Sequence, residues 1–305
     1  MSAEGSTKTL LVALGGNLLI AGIKFTVSFI TGSAAMLAES IHSAADSFNQ
    51  ILLLIGSKRA SKPASELFSF GYSREIFFWS LMVAMLLFFL GACFSVYEGI
   101  DKALNPQSIH HIAWIFIILF SSALIEAKSF QVAYREFRLR HKEPFFKAIK
   151  SSHNVSLVIV ILEDSAALTG LIVVMITTVL AWLVNPVFDA IGSIIVGCLL
   201  LAVSLLLIIE VKGLIIGESI PRSDREKIKR ILHSYPQVDH INRVQTMVMG
   251  NNHYLVLLSL DMKDEIKVYQ AEDLVEKIKM HIMKEIEGIE TIYIELRDAV
   301  RNQKV

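Results

Sequence analysis

Charged side chains inside long apolar runs are the feature that most constrains this sequence. Glu39, His42 and Asp46 interrupt one such run. Glu163 and Asp164 interrupt another. An ionised carboxylate at membrane depth costs roughly 2.5–3.5 kcal/mol on insertion scales, so each one needs a partner inside the protein. The partner that we predict is a divalent cation.

Six apolar runs are long enough to cross a bilayer as α-helices, since each reaches roughly 20 residues. The composition agrees, because 53% of the 305 residues are hydrophobic and 19% are charged. The expected fold class is an all-α membrane domain of six transmembrane helices, residues 1–212, followed by a C-terminal α+β domain, residues 213–305. The predicted spans are Leu10–Ile30, Ser33–Gly56, Ile76–Tyr97, Ile112–Ala133, Val155–Val184 and Val187–Ile209.

Basic residues in the connections predict the orientation. They crowd the second and fourth links, whereas the first, third and fifth links contain Lys102 alone. The positive-inside rule therefore places both termini and the C-terminal domain in the cytoplasm or its topological equivalent. The start of the sequence has no Arg-rich amphipathic presequence, which favours a bacterial inner membrane. The basic residues of the two links are Lys58, Arg59, Lys62, Arg74, Arg135, Arg138, Arg140, Lys142, Lys147 and Lys150.

The sequence after the last span has the pattern of a small α+β domain. Its order of helix, strand, strand, helix and strand predicts a split βαβ, ferredoxin-like unit. Such a small core favours a homodimer. The 29 Lys and Arg balance the 29 Asp and Glu, which argues against a nucleic-acid partner. The predicted elements are Arg222–Ser234, Val238–Met249, His253–Met262, Tyr269–Glu285 and Ile289–Leu296, with a hairpin turn at Gly250-Asn251-Asn252.

His42 and Asp46 are spaced so that they can share a ligand. Residues four apart lie about 40° apart around a helix, and Asn49 continues the same stripe. An imidazole with carboxylates suits Zn²⁺ first, with Mn²⁺, Co²⁺ or Fe²⁺ as alternatives. The structural alternative is that these side chains hydrogen-bond neighbouring helices.

Glu163 and Asp164 in the fifth span are adjacent, so they point about 100° apart. One of them is predicted to bind the cation. The other is a further acceptor, a proton carrier or the partner of Lys24 in the first span. The alternative is a structural role for the pair.

Three segments resemble the cation diffusion facilitator family. They are Leu37–Asp46 (LAESIHSAAD), Phe70–Glu75 (FGYSRE) and Phe188–Ser193 (FDAIGS). The resemblance implies a homodimeric secondary transporter in the lipid bilayer that exports a divalent metal, most often zinc, in exchange for protons by alternating access. The Glu163–Asp164 pair and Phe77-Phe78-Trp79 resemble a branch that includes a mitochondrial zinc exporter of animals and bacterial relatives.

The resemblance also implies a tetrahedral site with two ligands from the second helix and two from the fifth. His42 and Asp46 match the first pair, and Asp164 matches the later member of the second. Val160 stands where the earlier member belongs and cannot bind metal. We hypothesise that Glu163, Asn49 or water completes the shell.

The same residues give weaker support to three other functions. An intramembrane metalloenzyme is disfavoured because no His-Glu-x-x-His helix occurs, so neither an enzymatic activity nor a resident cofactor is expected. A channel is disfavoured because several ligands would hold the ion too tightly for conduction. Loss of a ligand at Val160 keeps open a non-transporting, metal-sensing or assembly subunit.

Overall fold

The computed structural model describes residues 3–106, 111–140 and 155–298. Within them the chain forms two compact units. One contains the long apolar helices. The other contains the chain from Lys212 onwards together with Arg59–Phe77.

Six long helices make up the first part of the described chain. Four of them, α3 to α6, are long and apolar enough to cross a membrane. Among the described side chains of α1, Leu18–Thr31 form a shorter apolar helix. Charged and polar side chains dilute the apolar character of α2, so its crossing remains a prediction. The helices are α1 Ala3–Thr31, α2 Ala34–Ala60, α3 Glu75–Leu104, α4 Ile112–Arg140, α5 Val155–Leu183 and α6 Val187–Ile216.

Helix α3 contains an unexpected π-helical segment, Leu87–Cys93. At its end the amide of Phe94 donates to the carbonyl of Phe89, five residues earlier. Beyond this wide turn, α3 packs tightly against α6. A Cβ placed on Gly99 would lie 2.9 Å from the carbonyl oxygen of Ala190, so glycine is what permits this approach.

The first residues of α2 are held by a buried carboxylate of α6. Asp189 accepts hydrogen bonds of 2.5 Å from the hydroxyl of Ser33 and 2.5 Å from the amide of Ala34. Amides in the first turn of a helix have no partner within that helix, so Asp189 acts as its cap. Nearby, Lys102 donates to the carbonyl of Gly32 at 2.6 Å. These contacts fix where α2 begins.

The second unit contains a three-stranded sheet and two helices at nearly the predicted bounds. Strands β1 and β2 pair antiparallel through the predicted turn, and β2 and β3 pair parallel, with Val256 opposite both Thr246 and Ile292. In a split βαβ unit a further strand would separate the parallel pair. Among the described strands β2 and β3 are direct neighbours, which corrects that expectation. The elements are α7 Arg222–His233, β1 Val238–Gly250, β2 His253–Met262, α8 Val268–Glu285 and β3 Ile289–Leu296.

Successive side chains of each strand point to opposite faces of the sheet. The two amphipathic helices pack their apolar side chains against it and keep their charged side chains on the outside. Gly288, at a φ of +88°, makes the turn into β3. The fully or nearly fully buried side chains of this core include Ile228, Leu232, Val256, Leu260, Ile278 and Ile282.

Candidate cation site

A cavity of about 430 Å³ lies among α1, α2, α4 and α5. Carboxylates from three different helices line it together with several hydroxyl groups. No single stretch of sequence could reveal this convergence. The polar residues of the lining include Ser43, Asp46, Ser122, Glu126, Ser129 and Asp164.

His42 and Asp46 lie together on α2, as their spacing predicts. The Nδ1 atom of His42 is 3.5 Å from Oδ1 of Asp46. His42 is 1% exposed, and neither of its ring nitrogens has a hydrogen-bond partner among the described residues. Buried polar atoms are nearly always satisfied, so a ring of this kind suits coordination of a cation.

The adjacent acidic residues of α5 point to different neighbours. Asp164 lines the cavity that Asp46 also lines, and its Oδ2 accepts a 3.0 Å hydrogen bond from the hydroxyl of Ser129. Glu163 is 6% exposed, and its Oε1 accepts a 2.6 Å hydrogen bond from the amide of Asn49. The two carboxylates therefore diverge, as adjacent helix positions must.

The buried ammonium of Lys24 has partners other than those considered from the sequence. Its Nζ donates to Glu39 Oε1 at 3.0 Å, Ser43 Oγ at 2.6 Å and Glu126 Oε1 at 3.2 Å. The described contacts thus pair Lys24 with Glu39 and Glu126, not with the acidic residues of α5. Glu126 was missed, although a carboxylate inside the fourth apolar run was a signal that could have identified it.

The arrangement is an acidic cavity beside a His–Asp pair, not a closed metal centre. Within residues 3–106, 111–140 and 155–298, no three His, Cys, Asp or Glu side chains gather around one point that could hold a metal. Val160, one turn before Asp164, is half-buried and offers no donor atom.

Acidic side chains outnumber basic ones in this region. Lys24 is the ammonium that the described contacts place there, against five carboxyl groups. A low-dielectric surrounding strengthens the attraction of such a cluster for a cation. The five carboxyl groups belong to Glu39, Asp46, Glu126, Glu163 and Asp164.

Apolar helices of membrane length around an acidic, cation-suited cavity define a multi-pass membrane protein that handles cations. Family comparison assigns both parts of the chain. Residues 10–215 match the cation efflux transmembrane domain, and residues 220–297 match the cation efflux protein cytoplasmic domain. The chain therefore belongs to the cation efflux, or cation diffusion facilitator, family of metal transporters, which confirms the resemblance seen in its sequence.

The relatives differ in the metal that their names give. The mitochondrial proton-coupled zinc antiporter SLC30A9 of Xenopus laevis is 33% identical over 254 residues, covering 82% of this chain and 45% of the relative. The human protein of that name is 32% identical over 251 residues, covering 81% and 44%. The manganese efflux system protein MneP of Bacillus subtilis is 25% identical over 293 residues, covering 95% of each chain. The chain spans less than half the length of the two SLC30A9 proteins.

Proposed function

We propose that the protein exports a divalent transition-metal cation, Zn²⁺ first, in exchange for protons by alternating access. The observation that carries the proposal is the cavity shared by Asp46 of α2 and Asp164 of α5. It lies beside the imidazole of His42, whose ring nitrogens have no hydrogen-bond partner in the described part of the chain. Similarity to the SLC30A9 zinc antiporters supports zinc. Similarity to MneP makes Mn²⁺ the first alternative, followed by Fe²⁺ and Co²⁺.

In the proposed site His42, Asp46 and Asp164 bind the metal. Glu163, Asn49 or water takes the fourth position. The hydrogen bond between Asn49 and Glu163, and the absence of both from the described cavity lining, favour water in this arrangement. Closing the shell requires Asp164 to approach the His42–Asp46 pair, a movement of the kind that alternating access provides.

Proton exchange follows from the chemistry of the ligands. Metal binding requires a neutral imidazole and ionised carboxylates, so protons and metal compete for the same groups. A conformation that favours metal on one side and protonation on the other couples a proton gradient to export. His42 is the proton carrier in this proposal, because an imidazole changes its charge readily under physiological conditions.

The proposal extends to the architecture. All six helices α1 to α6 cross the bilayer within residues 1–212, and both termini lie in the cytoplasm of a bacterium. Residues 213–305 form the metallochaperone-like α+β domain of a homodimer. The match of residues 220–297 to the family's cytoplasmic domain supports this arrangement.

Proteoliposomes loaded with a pH-sensitive dye test the transport proposal. An imposed Zn²⁺ gradient should drive proton flux through the wild type, and His42→Ala, Asp46→Ala and Asp164→Ala should each abolish it. Asp101→Ala removes an exposed carboxylate of α3 and is the matched control, for which we expect unchanged flux. Unchanged flux in all three site variants would remove the proposed site.

Because Val160 offers no donor atom, a second candidate function is that of a metal sensor or assembly subunit. That function predicts Zn²⁺ binding by wild-type protein in calorimetry together with no flux in proteoliposomes. Zinc-dependent flux through the wild type would exclude it.

A further inference from the structure

Helix α4 presents a polar stripe to the cavity. Ser122, Glu126 and Ser129 are spaced by four and three residues, which places them on one face of the helix. All three line the cavity. Ser129 contacts Asp164, and Glu126 contacts Lys24, so the stripe connects α5 with α1.

Two oxygen atoms of this stripe have no hydrogen-bond partner among the described residues. Oε2 of Glu126 is buried and accepts no hydrogen bond from the described residues, while its Oε1 is engaged by Lys24. Ser122 is 2% exposed, lines the cavity, and its hydroxyl also lacks a described partner. Unsatisfied buried oxygens that face a cavity with other carboxylates suit a cation better than they suit an apolar core.

We infer that Glu126 is a further cation-contacting residue of this cavity and that its carboxylate favours oxygen-preferring divalent cations such as Mn²⁺ relative to Zn²⁺. The inference rests on the proposed transport function. Imidazole suits Zn²⁺, whereas carboxylate, hydroxyl and water oxygens suit Mn²⁺, which accepts more ligands. An acidic side chain added to a His–Asp site by a third helix therefore shifts the balance towards the harder ion.

Lys24 is the positioning residue for Glu126. It is 0% exposed and holds one oxygen of Glu126 and one of Glu39. A buried ammonium bound in this way fixes the direction of both carboxylates, because breaking either contact leaves a charge unpaired. The free Oε2 of Glu126 is thereby kept available to the cavity.

Uptake of Mn²⁺ and of Zn²⁺ into proteoliposomes, measured separately for wild type and Glu126→Gln, tests the inference. The amide keeps the size of the side chain and an oxygen for Lys24. We expect the KM for Mn²⁺ to rise about tenfold and that for Zn²⁺ less than about threefold, as loss of one charge-assisted contact would produce. Ser121→Ala is the matched control, because its hydroxyl bonds Ile118 of its own helix and is not part of the described cavity lining. Equal changes for the two metals, or no change, would overturn the inference.

Two further variants keep the test decisive. Glu126→Asp retains a carboxylate and should hold the Mn²⁺ to Zn²⁺ preference closer to that of wild type than Glu126→Gln does. If Glu126→Gln does not fold, Ser122→Ala takes its place, with a rise of about threefold in the KM for Mn²⁺ and unchanged Zn²⁺ uptake. Equal effects on the two metals would again overturn the inference.

The role of Lys24 has its own readout. Lys24→Arg should keep the wild-type ratio of the KM values for Mn²⁺ and Zn²⁺. Lys24→Met should raise the KM for Mn²⁺ more than the KM for Zn²⁺, as Glu126→Gln does. A Lys24→Met protein that is less stable but keeps its preference would show that Lys24 does not position Glu126. Failure of the transport proposal itself is distinguishable, since the wild type would then take up neither metal.

Discussion

The side-chain amide of Asn49 donates a 2.6 Å hydrogen bond to Oε1 of Glu163, joining the two helices that carry the proposed metal ligands. Asn49 is fully buried and Glu163 nearly so. Both residues were candidates for the fourth ligand position, yet they contact each other. In this arrangement they tie α2 to α5.

We expect Asn49→Ala to destabilise the protein by about 1–3 kcal/mol, because it leaves the buried carboxylate of Glu163 without this donor. Thermal unfolding in detergent measures the loss. The KM for zinc should stay within about threefold, since neither side chain belongs to the described cavity lining.

Glu163→Gln is the companion variant, because it keeps an oxygen that accepts from Asn49. A smaller loss of stability is expected, with zinc uptake close to that of wild type. A tenfold rise in the KM for zinc, with stability unchanged, would instead identify Glu163 as a metal ligand.

Ser129→Ala should weaken zinc uptake without abolishing it. The hydroxyl of Ser129 orients Asp164 through an exposed hydrogen bond. Its loss should raise the KM about threefold to tenfold, equivalent to about 1 kcal/mol. Ser129→Thr keeps the hydroxyl and should behave as wild type. Ser165→Ala, whose hydroxyl bonds its own helix, is a control on α5. An unchanged KM in Ser129→Ala would refute the orienting role.

Asp189→Ala should lower the unfolding temperature, because the first amides of α2 lose the acceptor that caps them. Removing a cap costs about 0.5–2 kcal/mol, and burial of these amides places the cost at the upper end. Asp189→Asn retains an acceptor oxygen and should lose less. Equal unfolding temperatures for wild type and Asp189→Ala would contradict the capping role.

Gly288→Ala should destabilise the sheet of the second unit. Its φ of +88° disfavours any side chain, and a Cβ there would lie 2.5 Å from the carbonyl oxygen of Asn252. We expect a cost of about 1–3 kcal/mol, seen as faster proteolysis of the C-terminal region in the intact protein. Gly22→Ala is the control, because a Cβ at that position has open space. Equal proteolysis of the two variants would argue against strain at Gly288.

Features encoded within one element were predictable from the sequence. The apolar runs gave the helices, and alternation around Gly250-Asn251-Asn252 gave the hairpin. The four-residue spacing placed His42 beside Asp46. Each of these depends on the local period of helix or strand.

Features that depend on which elements meet were not predictable. The partners of Lys24 come from α2 and α4, and the sequence does not state that these helices meet α1. Glu126 is signalled by its place inside the fourth apolar run, but the sequence does not show which groups it meets across the cavity. The direct pairing of β2 with β3 is likewise a property of the assembled sheet.

The wide turn at Leu87–Cys93 sets the angular phase of the second half of α3. In an uninterrupted α-helix, the residues that follow would be rotated by about 100° around the helix axis from the positions they occupy here. Gly99 would then turn away from Ala190, and a bulkier neighbour would meet α6 in its place. One extra residue in the helical turn therefore determines which face of α3 packs against α6.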